Sequence, residues 1–248
     1  MNLTVGKEYN IENMFNIMGG WTTKFEINGK SVGGSVELGA KDSTILWQLD
    51  VLGGAKNKKI LELGPLEGAH TKLLSDMGAS EIIAVEGLPD CFLRCLIVKE
   101  AFNLNKAKFV FCDFNNYVEN CEMKFDFVLA RGVLYHQLNP AKLIHNLSKI
   151  TNNVVVWSQI ADDTHPTLQE GFCEYDGKTY KGKINNYCGV RIVLEGYCGG
   201  LKDTALWLYG DEMRRCFQDA GFTNLIEKEI PDNIHGKALL FVAKKDQQ

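Results

Sequence analysis

The sequence predicts an α/β fold built on a mostly parallel β-sheet. From Lys58 onward, short β-rich runs alternate with segments of helical periodicity. This alternation is typical of parallel strands joined by crossover helices. The longest apolar runs, at 154–157 and 238–243, have the length of strands and fall far short of the roughly 20 residues that span a bilayer. We therefore expect a single α/β domain over residues 1–248, with no contact to a membrane.

Composition narrows the class of protein. The 248 residues are 45% hydrophobic and 23% charged, with a formal net charge of −4, so the chain is an ordinary globular protein with no overall attraction for nucleic acid. The eight cysteines include no Cys-x-x-Cys pair, and we expect buried thiols and no metal site. Residues 1–20 lack the pattern of a signal peptide, which predicts a cytoplasmic location.

Seven strands and four helices can be placed in order. The strand candidates are 59–63, 81–86, 108–112, 125–130, 153–158, 224–230 and 237–243. Helices fit at 70–77, which Gly78 ends, and at 89–102, which begins with Pro-Asp. A third, at 140–150, carries a stripe of apolar residues on one face, and the last, at 211–220, ends at Gly221.

Two segments lie outside this alternation. Residues 1–54 are expected to form a cap on the domain: Asn28-Gly29 indicates a hairpin turn, and Asp42 or Ser43 can begin a helix that runs to Leu52. Residues 160–206 form an insertion after the fifth strand. It is rich in aromatic residues, namely Phe172, Tyr175, Tyr180, Tyr187 and Tyr197. The insertion forms either a lid over a substrate pocket or a surface hairpin that buries its own rings.

A glycine-containing loop follows the first strand of the sheet and precedes a helix. It reads Glu62-Leu63-Gly64-Pro65-Leu66-Glu67-Gly68. Gly64 can adopt a backbone conformation that other residues avoid and lets a ligand lie against the main chain, and Gly68 lets the following helix approach. A nucleotide is expected beyond the strand ends.

The spacing of the glycines indicates which nucleotide. A dinucleotide fingerprint needs glycine at positions 64, 66 and 69, but the chain has Leu66 and Ala69. Glu62 instead suits a ligand that carries an ammonium group. S-adenosylmethionine (SAM) has an amino-acid end and a sulfonium and lacks phosphate, so it is the predicted cofactor.

Acidic residues after the next two strands complete the predicted cofactor site. Glu86 lies 22 residues after Gly64, a separation that suits a carboxylate bound to both ribose hydroxyls. Asp113 can accept from the adenine amino group while Phe114 covers the ring. Each feature is weak alone, but together they fall at the carboxyl ends of successive strands. The predicted cofactor-binding set is Glu62, Gly64, Pro65, Gly68, Glu86, Gly87, Asp113, Phe114 and Arg131.

These motifs resemble those of the class I SAM-dependent methyltransferases, over roughly residues 55–160. The Gly-Val-Leu-Tyr-His-x-x-x-Pro pattern at 132–140 is similar to the branch that contains the tRNA wobble-uridine carboxymethyltransferases and small-molecule methyltransferases. Trp21 and the hairpin around Asn28-Gly29 are similar to that branch too. The resemblance implies a Rossmann-like, seven-stranded sheet of order 3-2-1-4-5-7-6 with helices on both faces and the last strand antiparallel.

Candidates for the chemistry follow the fourth strand. His136 can act as a base, since an imidazole has an ordinary pKa of about 6.5, or it is a structural residue. Tyr135 can contact the sulfonium or the substrate. Arg131 needs a partner, which is the cofactor carboxylate, an acidic substrate, or Asp126 or Glu122 in a surface salt bridge. His70 either touches the methionine end of the cofactor or caps its helix. Trp21, Arg131 and Tyr135 form the predicted substrate-binding set.

Three functions are compatible with these residues. The leading hypothesis is methyl transfer to an oxygen or nitrogen of a small molecule, for example a sugar. The second is methyl or carboxymethyl transfer to tRNA or another RNA, which requires a basic stripe on one face. The third is a SAM-binding regulator without catalysis. The sequence leaves the oligomeric state open.

Overall fold

The computed structural model describes residues 11–162, 168–186, 201–232 and 236–246. Tyr187, Tyr197 and the parts of the insertion at 163–167 and 187–200 lie outside these ranges. In chain order the elements are α1 (Glu12–Phe15), β1 (Lys24–Ile27), β2 (Lys30–Gly33), α2 (Ser43–Val51), β3 (Lys59–Leu63), α3 (Ala69–Asp76), β4 (Glu81–Glu86), α4 (Pro89–Ala101), β5 (Ala107–Phe111), α5 (Phe114–Glu119), β6 (Phe127–Arg131), α6 (Pro140–Ile150), β7 (Asn153–Gln159), β8 (Gln169–Tyr175), β9 (Lys178–Asn186), β10 (Thr204–Leu208), α7 (Gly210–Asp219), β11 (Asn224–Glu227) and β12 (Ala238–Lys244).

Seven strands form the central sheet, in the order β5-β4-β3-β6-β7-β12-β11. Numbered along the chain these are 3-2-1-4-5-7-6, which confirms the order that the resemblance implies. Strands β3 to β7 run parallel, whereas β12 is antiparallel to both of its neighbours. Because side chains alternate along a strand, successive residues of β7 enter different cores: Val154 and Val156 lie in one and Val155 in the other.

The two cores cover opposite faces of this sheet, so helices on both faces are confirmed. Most buried apolar side chains of α2, α3 and α4 belong to one core, and those of α5, α6 and α7 belong to the other. Helix α5 was absent from the predicted elements because it spans only six residues and contains two asparagines, which are poor helix formers. Among the described residues, no helix is long and apolar enough to cross a membrane.

Predicted bounds of the strands differ from the structure where pairing stops. The fourth strand begins at Phe127 rather than at residue 125, because Phe125 makes only an isolated bridge to Thr151. Strand β11 ends at Glu227 rather than at residue 230. The helix predicted after Asp42 forms over Ser43–Val51, and the Asp42 side chain accepts from the Thr44 N–H as its N-cap.

The segments outside the alternation form two small antiparallel sheets. Strands β1 and β2 pair across the turn at Asn28-Gly29, as predicted from those two residues. Strands β8, β9 and β10 form a three-stranded sheet in the order β10-β9-β8. Of the insertion's aromatic residues, Tyr180 is fully buried and Phe172 is 65% exposed.

Candidate functional site

A cavity of about 1020 Å³ lies at the carboxyl ends of the parallel strands. Residues that end or follow β3, β4, β5, β6 and β7 all line it, which is where open α/β sheets bind ligands. Its volume is at the upper end of the range for small-molecule pockets. The sequence-predicted residues that line it are Gly64, Pro65, Glu86, Gly87, Asp113, Phe114, Arg131, Tyr135 and His136.

Gly64 brings the main chain of the glycine loop to the cavity. Its φ is +59°, and a Cβ at this position would lie 2.9 Å from Val133 Cγ1. Gly68 has φ +80° and is the N-cap of α3. A Cβ on Gly68 would lie 3.4 Å from Phe109 and 3.5 Å from Val98, which are ordinary contact distances. Gly64 is therefore favoured for conformational and steric reasons, and Gly68 for its backbone conformation.

Glu62 is buried beside the loop and does not line the cavity. Burial raises the pKa of its carboxyl group to about 7, against a hydrogen bond from Thr71 that lowers it, and Glu86 raises it further. Its Oε1 atom is buried, and no described residue donates a hydrogen bond to it. Its predicted contact with an ammonium group remains a prediction.

Glu86 ends β4 and lines the cavity. Its carboxylate accepts from the backbone N–H of Leu66 (3.1 Å) and of Leu88 (2.8 Å). Burial raises the pKa of this carboxyl group above its ordinary value, although the backbone N–H groups oppose the shift. The neighbouring Gly87 leaves room for Leu201, whose side chain would lie 2.9 Å from a Cβ.

Asp113 and Phe114 lie at the start of α5. Asp113 is the N-cap, and its Oδ1 accepts from the backbone N–H (2.8 Å) and the side-chain amide (3.0 Å) of Asn115. The same amide donates to Gln137 Oε1 at 2.8 Å. Helix α5 thus presents Asp113 and the ring of Phe114 to the cavity, a placement that the sequence reached without predicting the helix.

Arg131 ends β6 and lies in a buried network with α2. Its Nη2 donates to Asp42 Oδ2 at 2.7 Å and to Thr44 Oγ1 at 2.8 Å, and its Nη1 donates to Gln48. Burial lowers the pKa of the guanidinium to about 10, although Asp42 opposes the shift. Burial alone would raise the pKa of Asp42, but Arg131 and Thr44 outweigh it and lower that pKa.

This network corrects one expectation for Arg131. A surface salt bridge with Asp126 or Glu122 is wrong, because the partner is Asp42 and the side chain of Arg131 is only 8% exposed. Asp126 instead accepts from the backbone N–H of Lys59 at 2.6 Å. The Nε of Arg131 is buried, and no described residue accepts from it.

His70 lies on the first turn of α3 and lines the same cavity. Burial lowers the pKa of its imidazole to about 3, and the charge of Arg131 lowers it further, against Asp42. The side chain is therefore neutral at physiological pH. Its Nε2 atom is buried and has no hydrogen-bond partner among the described residues. A capping role was equally open from the sequence, but Gly68 is the N-cap.

Tyr135 and His136 lie in the turn after β6 and line the cavity. Their ring centroids are 4.1 Å apart. The ring of Tyr135 also meets those of Trp157 and Trp207 edge-on, each at 5.9 Å. Both tryptophans line the cavity. The sequence missed them because Trp157 reads as part of a strand and Trp207 lies beyond a long insertion.

Trp21 lies in an aromatic cluster instead of the cavity wall. Its Nε1 donates to the carbonyl groups of Phe15 and Met18, both at 2.9 Å, and its ring packs 4.7 Å from that of Phe15. The guanidinium carbon of Arg94 lies over the Trp21 ring, 5.9 Å from its centroid. The adjacent Thr22 lines the cavity, but Trp21 is not among the described residues that line it. The position of the Trp21 ring therefore gives no support to the prediction that Trp21 binds substrate.

Glu67 is a buried acid within the glycine loop that the sequence did not single out. Its carboxylate accepts from the backbone N–H of Thr22 at 2.9 Å and of Thr23 at 2.6 Å. Arg94 Nε lies 3.9 Å away. Glu67 thus holds the segment before β1 against the cofactor loop. In the part of the chain that the structure describes, no group of three His, Cys, Asp or Glu side chains is placed to hold a metal ion.

Comparison with known proteins gives a family and a set of similar folds. A family model for a methyltransferase domain matches residues 48–227. A search of curated proteins gave no match. The N-terminal domain of EvdMO1, solved in the presence of S-adenosylhomocysteine (SAH) and D-fucose, is 22% identical over 95% of this chain and 96% of that chain, with a TM-score of 0.76.

Two further solved structures share the fold at lower similarity. The magnesium protoporphyrin IX methyltransferase ChlM from Synechocystis PCC 6803, with bound SAM, is 13% identical over 83% of this chain and 77% of that chain, with a TM-score of 0.56. TehB from Haemophilus influenzae is 16% identical over 84% of this chain and 63% of that chain, with a TM-score of 0.55.

Proposed function

The chain belongs to the methyltransferase domain family as a SAM-dependent enzyme, and we propose that it methylates a hydroxyl group of a small polyhydroxylated acceptor such as a sugar. The observation that carries this proposal is the composition of the cavity. We assign one part of its lining, the glycine loop and the carboxylates, to the cofactor, and another part, the aromatic rings and side-chain amides, to the acceptor.

The first part of the cavity fits SAM. Gly64 presents only its main chain to the cavity, because it has no side chain. Two buried nitrogen atoms without a partner among the described residues, Arg131 Nε and His70 Nε2, belong to side chains in the same wall. A buried N–H that is not hydrogen-bonded is costly, and the carboxylate of the methionine end of SAM would accept from both.

The carboxylates suit the rest of the cofactor. In this proposal Glu86 accepts from the ribose hydroxyl groups, and Asp113 and Phe114 receive the adenine. Glu62 does not line the cavity, so it stabilises the ammonium group through its negative charge rather than by direct contact.

The second part of the cavity supports a sugar-like acceptor. Its rings and amides are those of Tyr135, Trp157, Trp207, Gln159, Asn185 and Asn186. Aromatic faces pack against the C–H faces of a saturated ring, and amides both donate to and accept from hydroxyl groups. Asn185 and Asn186 end β9, which makes the insertion one wall of the cavity and, in this proposal, a substrate lid. The presence of D-fucose in the structure of the similar EvdMO1 domain agrees with this acceptor.

The chemistry then depends on positioning and on one proton. SAM supplies an electrophilic methyl group. The walls of the cavity hold the acceptor oxygen in place and exclude water, which lowers the entropic part of the barrier. A hydroxyl group needs a base, and His136 lies in the cavity wall with its ring against Tyr135. In this proposal His136 accepts the proton of the acceptor hydroxyl group, and Tyr135 orients the acceptor.

Calorimetry with SAH tests the cofactor site. We expect binding at tens of micromolar or tighter, and Glu86→Ala should weaken it at least tenfold because charge-assisted hydrogen bonds are lost. Glu100→Ala, at an exposed position of α4 that does not line the cavity, is the control and should bind normally. Absence of SAH binding by the unaltered protein refutes the proposal, and an unchanged affinity in Glu86→Ala removes Glu86 from the ribose.

Transfer of a radiolabelled methyl group to a panel of deoxysugars and sugar nucleotides tests the acceptor. We expect one sugar class to be labelled, and His136→Ala to lower turnover by about 100-fold or more while SAH affinity is retained. Normal turnover by His136→Ala removes it from proton transfer. Labelling of tRNA in place of every sugar overturns the acceptor proposal.

A further inference from the structure

Leu66, in the glycine loop, has a backbone conformation that is unusual for its residue type. Its φ is +58°, in the left-handed region that a bulky side chain rarely adopts. Five non-glycine residues have positive φ in the part of the chain that the structure describes. The other four are Asn28, Asn57, Asn103 and Asp176, types that tolerate this conformation because their short polar side chains bond locally. Leucine has no such compensation.

Hydrogen bonding does not explain leucine here. The Leu66 N–H donates to Glu86 Oε2 at 3.1 Å, and its carbonyl group accepts from Cys95 Sγ at 3.5 Å. Both groups belong to the main chain. Glycine or asparagine would supply the same groups with less strain, so the reason for leucine must lie in its side chain.

Packing in the protein core does not explain it either. Leu66 is half-buried. Among the described residues it belongs to no hydrophobic core cluster, nor to the partly buried residues packed against one. It does line the cavity, together with Glu86, Leu88 and Cys91. Leu66 is also in direct contact, through its N–H, with Glu86, the carboxylate that we assign to the ribose.

We propose that the Leu66 side chain is a binding group for the nucleoside half of the cofactor, retained at the expense of backbone strain. This inference rests on the proposed function, because it assumes that Glu86 receives the ribose. Contact with the ligand offsets the strain only in the complex, since apolar area is removed from water there. Stability of the free protein and affinity for the cofactor should thus respond to Leu66 in opposite directions.

The test uses Leu66→Asn and Leu66→Ala in the full chain. Asparagine suits left-handed backbone, so the free Leu66→Asn protein should melt at the same temperature or about 2–4 °C higher. Both variants should bind SAH about five- to tenfold more weakly. Methylthioadenosine, which lacks the amino-acid end, should lose the same factor, because the lost contact is to the nucleoside.

Asn57→Leu is the matched control. Asn57 is exposed, has φ +60° and does not line the cavity. Leucine there should lower the melting temperature by about 2–4 °C and leave SAH affinity unchanged.

Three outcomes overturn the inference. They are unchanged SAH affinity in both Leu66 variants, a clear fall in the melting temperature of free Leu66→Asn, and weakened SAH binding with normal methylthioadenosine binding. If the unaltered protein binds neither ligand, the proposed function fails as well. If it binds both and the Leu66 variants bind equally well, only the role of Leu66 fails.

Discussion

Replacement of Asp42 by asparagine should destabilise the protein strongly, because it leaves the buried Arg131 guanidinium without a counter-charge. The Asp42–Arg131 pair is 2.7 Å long, and the two side chains are 16% and 8% exposed. Removal of one partner of a buried ion pair costs about 3–5 kcal/mol. Arg131 keeps Thr44 and Gln48 as neutral acceptors, so we expect about 3 kcal/mol. Asparagine caps helices nearly as well as aspartate, so the loss reports on the charge.

Chemical denaturation and a double-mutant cycle measure this effect. Arg131→Met in the Asp42→Asn background should recover much of the loss, because both buried charges are then absent. The surface pair Lys72–Asp76, with side chains 29% and 53% exposed, is the control, and Asp76→Asn should cost less than about 1 kcal/mol. An Asp42→Asn cost as small as that of the control, or a double variant that loses the sum of both single losses, would refute the reasoning.

The same pair sets a dependence on pH. The pKa of Asp42 is lower in the folded protein than its ordinary value of 3.8. Its contribution to stability is therefore present above pH 3.8 and is lost as the pH falls through the folded value. Asp42→Asn lacks this contribution, so the difference in stability from the unaltered protein should shrink in acid. A difference that stays constant down to the acid transition contradicts the assignment.

Three further predictions concern the glycine loop and its helix. The pKa of Glu62 is raised from 4.5 to about 7, so its contribution to stability is full below pH 4.5 and is lost as the pH rises through 7. In chemical denaturation, Glu62→Gln should be more stable than the unaltered protein at about pH 8 and equally stable in acid. The pKa of His70 is lowered from 6.5 to about 3, so the stability of the protein should fall as the pH drops below 6.5. His70→Gln should make stability less dependent on pH in this range, and an unchanged slope would mean that His70 is not buried as a neutral group. Gly64→Ala should abolish SAH binding in calorimetry, because its Cβ meets Val133 at 2.9 Å with φ at +59°; normal affinity would show that the loop shifts freely.

The sequence placed several residues of the proposed cofactor site at the cavity because local rules govern their positions. A strand, a glycine turn and a helix are encoded by neighbouring residues, and parallel strands place their carboxyl ends at one edge of the sheet. Gly64, Glu86 and Asp113 therefore line one cavity. Asp42 or Ser43 was predicted as a helix cap from the same kind of local rule, and the structure shows that the cap is Asp42.

The other half depended on contacts between residues far apart in the chain. Asp42 lies 89 positions from Arg131, and no spacing rule connects them. Trp157 meets Tyr135 because β7 pairs with β6 in the sheet. Trp207 meets it because β10 packs against the turn after β6, where the Leu206 N–H donates to the Gln137 carbonyl group.

Trp21 and Leu66 show the same division between local and tertiary information. The sequence identified a tryptophan before the hairpin and a leucine in place of glycine. Whether each side chain enters the cavity or the interior depends on how distant elements pack. Local patterns thus determined the fold class and the location of the glycine loop. Tertiary packing decided which side chains form the proposed acceptor wall, because hydrophobic burial and charge pairing depend on which surfaces meet and not on separation along the chain.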